Sequence, residues 1–169
     1  MGKKKGLVFY DYHHLHLRSR CRLEKSKCDS RNLKYVRRDV HEAFHRLFNN
    51  MVPIEMNSHL VNNWCAVGNC TFVDVDVIAK FEGVRYRYRK EDIVEVPTRP
   101  FVGRPCGTRP DFNWVFGRQS DVFDACVRVV QEWSPKGNYW RKVVLRATTT
   151  SGEQLEYVYH RPRPKRRRR

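Results

Sequence analysis

The stretch Cys70–Arg89, CTFVDVDVIAKFEGVRYRYR, sets the architecture of the chain. In its first half Val73, Val75 and Val77 alternate with Asp74 and Asp76, the period of a half-buried strand. Its second half, VRYRYR, alternates in the same way. Glu82-Gly83 between them is a two-residue turn signal, so the stretch reads as a β-hairpin. A two-residue turn also dictates register. Ile78 then faces Arg87 and Asp76 faces Arg89, while Val77 faces Tyr88 and Ala79 faces Tyr86. The arginine of one strand opposite the aspartate of the other predicts a solvated, salt-bridged face at Arg85, Arg87 and Arg89.

The same pattern recurs near the C-terminus, where Val143–Thr150 and Glu153–His160 flank Ser151-Gly152. Two helices complete the set. From Tyr35 to Met51, apolar residues at 36, 40, 43, 44, 47, 48 and 51 trace a helical stripe that Pro53 is expected to end. From Ser120 to Trp133 the stripe is Val122, Phe123, Cys126, Val127, Val130 and Trp133, with Ser120 as the expected N-cap. The predicted fold is α+β, a two-layer sandwich of about four antiparallel strands in two hairpins and two helices. The N-terminal LVFYDYHHLHL is left as a further strand or a segment laid on a partner.

Charge divides the chain. Residues 1–40 carry 12 Lys and Arg against 4 Asp and Glu, and residues 161–169, RPRPKRRRR, add seven positive charges. Residues 41–160 are nearly neutral, within a total of +16 over 169 residues. The expected organisation is a basic N-terminal arm over 1–34, one domain over 35–160, and a basic tail over 161–169. Cationic arms repel themselves, and a polyanion relieves that repulsion while releasing counterions. No run of about 18 apolar residues predicts a membrane span. MGKKKG has no apolar region of a secretory signal, and Gly6 stands where a myristoylation site wants Ser or Thr.

Between the hairpin and the second helix lies an expected loop over 97–118, PTRPFVGRPCGTRPDFNWVFGR. Arg99-Pro100, Arg104-Pro105 and Arg109-Pro110 recur every five residues. Proline keeps such a chain extended, and arginine and aromatic rings on it suit phosphate and unpaired bases. The candidate RNA contacts are therefore Arg99, Arg104 and Arg109 in this loop, with Phe112 and Trp114 covered only by RNA. In the N-terminal arm they are Lys3, Lys4, Lys5, Tyr10, Tyr12, His14, His16, Arg18, Arg20 and Arg22. In the tail they are Arg161, Arg163, Lys165, Arg166, Arg167, Arg168 and Arg169.

Two patterns raise the question of metal. His41-Glu42-Ala43-Phe44-His45 is H-E-x-x-H, which on a helix puts two imidazoles one turn apart with a glutamate beside them. A zinc hydrolase needs a third ligand as well. Position 48 is Phe48 rather than the glycine of the extended pattern, and nothing marks out one of Glu55, His59, Glu82 or Glu91. Cys21 and Cys28, and Cys65 and Cys70, are spaced more widely than zinc knuckles prefer, and free thiols are expected. A zinc site built from these four, or one borrowing His14 or His16, is the alternative. No phosphate-binding or nucleophile motif is present.

These features together resemble ribosomal proteins, and in cysteine, histidine and tryptophan content the divergent proteins of mitochondrial ribosomes. The resemblance lies in composition and layout over the whole chain, without an aligned motif. It implies a non-catalytic protein without cofactor that meets rRNA and neighbouring proteins in a mitochondrial ribonucleoprotein. A viral or other RNA-packaging component shares these features. A small zinc metallohydrolase working from HEAFH is the enzymatic alternative.

Overall fold

The computed structural model describes residues 6–65, 69–90, 92–95, 105–137 and 139–163, with 92–95 described by backbone alone. The fold is α+β. Along the chain come β1 (Tyr10–His14), α1 (Glu24–Lys27), β2 (Leu33–Arg37), α2 (Arg38–Phe48) and α3 (Pro53–His59). Then follow β3 (Cys70–Phe81), β4 (Val84–Arg89), β5 (Asp92–Glu95), α4 (Arg109–Phe116), α5 (Val122–Glu132), β6 (Trp140–Thr149) and β7 (Gln154–His160). Among the described residues no helix is long and apolar enough to cross a membrane.

The main sheet has the order β5-β4-β3-β6-β7, all antiparallel. The β3–β4 register is the one the turn dictates: Asp76 faces Arg89, Val77 faces Tyr88, Ile78 faces Arg87 and Ala79 faces Tyr86. Glu82 and Gly83 both have positive φ, 50° and 81°. That geometry matches the right-handed twist of the strands it joins. A register shift against β6 between Phe72 and Asp74 modifies the expected alternation. Phe72 turns into the core and Val73 turns out, 56 % exposed. On the outer face the partner of Asp76 is not Arg89. Its carboxylate accepts from Arg87 Nε at 3.3 Å and Lys142 Nζ at 2.8 Å.

The inner face carries Val75, Val77, Ala79, Tyr86, Tyr88, Val143, Leu145 and Ala147, all buried. α3 packs on β3, β4 and β5, and α5 on β6. α5 is capped by Asp121, whose carboxylate accepts from Asp124 N at 2.8 Å, one residue later than expected. α2 lies beyond them, against α4 and a separate two-stranded ribbon of β1 and β2.

Three expectations are corrected here. The stripe from Tyr35 does not begin a helix, because Leu33–Arg37 is strand β2 and the helix starts at Arg38. Pro53 starts α3 instead of merely ending the element before it, since proline fits the first helical position and needs no donor there. The segment Arg109–Phe116 of the expected loop is helical, with Phe112, Val115 and Phe116 buried. Its first turn is held by Asp111, which accepts from Thr108 N at 2.9 Å.

Residues 10–32 are likewise no extended arm. Leu15 joins the main core, and Leu17 and Cys21 are buried. Asn32 holds the turn back on itself, accepting from His16 N at 2.7 Å and donating to His16 O at 2.9 Å. The carboxylate of Glu82 accepts from the backbone of Arg22 and Leu23 at 2.6 and 2.9 Å.

Candidate nucleic-acid interface

Alternation in β1 sorts its side chains. Asp11, His13 and Leu15 point toward α2 and the core, whereas Tyr10, Tyr12 and His14 share the opposite face. Antiparallel pairing places Tyr35 directly across from Tyr12, and Arg37 across from Tyr10. The three tyrosine rings form one contiguous group, with Tyr10 stacked on Tyr35 and Tyr12 tilted against it. Tyr10 and Tyr35 are nearly parallel at 5.0 Å, and Tyr12 and Tyr35 are 5.1 Å apart. All three stand exposed: Tyr10 is 47 %, Tyr35 61 % and Tyr12 67 % exposed.

Arginines flank this stack. Arg37 lies over the ring of Trp114, itself half exposed, at 5.6 Å, and Arg38 over Phe9 at 5.2 Å. Both are partly neutralised, Arg37 by Asp39 at 2.6 Å and Arg38 by Asp11 at 3.2 Å. The Arg38 guanidinium holds the Asp11 carboxyl below its usual range. Arg18 and Arg22 are exposed farther along the segment. A ribbon with stacked exposed rings and guanidinium groups at its end can accept unpaired bases on the rings and phosphates at the arginines.

The expected contacts are therefore only partly brought together. Tyr10 and Tyr12 stand in the stack, and His14 is half-buried beside it. Arg161 and Arg163 follow the end of β7, on the sheet rather than the ribbon. His16 is corrected: it is fully buried and stacks on Phe81 at 4.1 Å, and burial pushes its pKa down to about 4. Arg20 is corrected too, being buried in a two-bond pair with Glu55. Arg109 folds back over the ring of Phe112 at 4.6 Å and donates to Ser120 O at 3.4 Å. Phe112 is fully buried without RNA. Lys3, Lys4, Lys5, Arg99, Arg104, Lys165, Arg166, Arg167, Arg168 and Arg169 lie outside the described residues.

Tyr35, Arg37 and Arg38 were not singled out by sequence. Their signal is the alternation of Leu33–Arg37, overlaid by the helical stripe that begins at Val36. The histidines of HEAFH sit on the ribbon's other side. His41 and His45 bring their Nε2 atoms to 3.0 Å, and His13 of β1 reaches the same place. The four cysteines Cys21, Cys28, Cys65 and Cys70 form no such group among the described residues. No family model matches this chain, and no curated protein or solved structure matches it.

Proposed function

We propose that the protein binds single-stranded RNA, with the tyrosine face of the β1–β2 ribbon stacking on bases and the basic termini neutralising phosphate. On this reading it is a non-catalytic constituent of a ribonucleoprotein particle, of the kind mitochondrial ribosomes contain. The observation that carries the reading is the exposed Tyr10–Tyr35–Tyr12 stack with Arg37 at its edge. Three large rings exposed together on one face are an apolar patch of the kind that marks an interaction site. The net charge of +16, concentrated toward the two ends of the chain, supports a polyanionic partner.

The test is binding of a fluorescent single-stranded RNA to wild-type protein and to a Tyr10→Ala, Tyr12→Ala, Tyr35→Ala variant. Each base that loses its ring should cost about 1–3 kcal/mol of affinity. Thermal stability should change little, because the rings are already exposed. Equal affinity of wild type and variant would refute the stacking face, and tighter binding to duplex than to single strand would redirect the reading to shape recognition.

A further inference from the structure

His13 is fully buried, and neither of its ring nitrogens has a hydrogen-bond partner among the described residues. An imidazole always carries at least one polar nitrogen lone pair or N–H to satisfy, so leaving both bare in the interior is costly. The ring is edge-on to Phe44 at 4.3 Å and to Trp133 at 5.6 Å, which fix its direction. It points to the two histidines of α2, with ring centroids 5.1 Å from His41 and 5.5 Å from His45. One ligand nitrogen from each of the three lies within 4.8 Å of the others.

The outer nitrogens of the helical pair are engaged elsewhere. His41 Nδ1 lies 3.5 Å from Asp11 Oδ2, and His45 Nδ1 is 3.0 Å from Asn49 O. A carboxylate and a carbonyl near the far nitrogens favour the tautomer with N–H outward and the Nε2 lone pair inward, the arrangement usual around metal-bound histidine. The two Nε2 atoms, 3.0 Å apart, are then both acceptors with no proton between them. Two nitrogens on one zinc, at about 2.0–2.1 Å each, stand at close to this separation.

We propose that His13, His41 and His45 form a site for one zinc ion that clasps β1 to α2. The third ligand that the H-E-x-x-H segment lacks in sequence is supplied by the strand packed against it. Three neutral imidazoles suit zinc, and they leave a fourth position for water on the side of the exposed His45. The ion gives His13 the partner its burial denies it. Asp11, on the same strand, places a negative charge 3.5 Å from His41 Nδ1.

The test needs no RNA and is independent of the proposed function. Full-length protein, expressed with zinc and gel-filtered, is assayed for bound metal, and apo-protein is titrated with Co²⁺. About one zinc per chain and a visible Co²⁺ absorption band are expected, with a higher melting temperature for the zinc form. His41→Ala and His45→Ala, both at accessible positions, should stay folded by circular dichroism and lose the metal and the band. His160→Ala, on β7, should keep both. Folded wild-type protein that holds no zinc and gives no Co²⁺ band overturns the site. So does stoichiometric zinc in folded His45→Ala protein.

Discussion

Arg20 meets Glu55 through two parallel hydrogen bonds, Nη2 to Oε1 at 2.8 Å and Nη1 to Oε2 at 3.0 Å, with both side chains almost wholly removed from water. The same carboxylate accepts from Val52 N at 3.0 Å, so it also closes the first turn of α3. Removing one partner strands a charge in the interior. Glu55→Ala is expected to lower unfolding free energy by about 3–5 kcal/mol. Arg20→Met combined with Glu55→Leu should recover much of that loss, as read by urea denaturation. A single variant as stable as wild type would show that water reaches the pair.

Gly107 is pressed on α2. A Cβ there would come within 2.7 Å of Leu47 Cα and 2.9 Å of Leu47 N. Its N–H and that of Cys106 both bond Arg46 O, at 2.8 and 3.0 Å. Backbone cannot retreat as a flexible side chain can. Gly107→Ala should cost about 1–3 kcal/mol, seen as a lower melting temperature. Gly152→Ala is a poor control because of its positive φ, and Gly6→Ala, in open space, is the better one.

Acid should weaken the metal-free protein before its carboxylates titrate. Buried His16 has its pKa pushed from 6.5 to about 4, chiefly by loss of solvent. Between those values the unfolded chain holds the proton and the folded chain does not. Stability is therefore full above pH 6.5 and falls as pH drops toward 4, by about 3 kcal/mol from this group. His16→Phe keeps the stacking on Phe81 and removes the titration. Its denaturation curves at pH 4.5 and 7 should lie closer together than those of wild type, and an equal separation would assign the acid limb to other groups.

Truncation after Arg163 removes five positive charges and leaves the bond from Arg161 N to Arg141 O that closes the end of β7. At about 0.7 per phosphate on a single strand, the slope of log affinity against log salt should become shallower by up to about 3.5. The melting temperature should hold. An unchanged slope would mean that the tail does not touch phosphate.

What could be read from sequence follows a physical division. Turns of two residues transmit register without help, so Glu82-Gly83 was enough to align Asp76 with Arg89. The stripe of α5 was legible because one face meets the core along its whole length. Proline misled, since Pro53 and Pro110 begin helices as readily as prolines end them, and the carboxylates two and one residues on, Glu55 and Asp111, that close each first turn mark the starts. The aromatic stack and the histidine cluster could not be read from any local window. Tyr12 finds Tyr35, and His13 finds His41, only through a ribbon whose strands are joined by a folded turn. A trace of the cluster was present: His13 is two residues before buried Leu15 on an alternating strand, and so on its inward face.

The order of strands in the main sheet bears on how quickly the protein can fold. β3 and β4 meet across two residues and β6 and β7 across a short turn, so each hairpin is local. The seam that unites them, β3 against β6, must first close the chain over residues 82–139. Loop-closure entropy delays such pairings, and sheets dominated by them fold slowly. Until the seam closes, β3 and β6, the long inner strands of the two hairpins, each leave one edge unpaired, the kind of edge at which unfinished sheets associate.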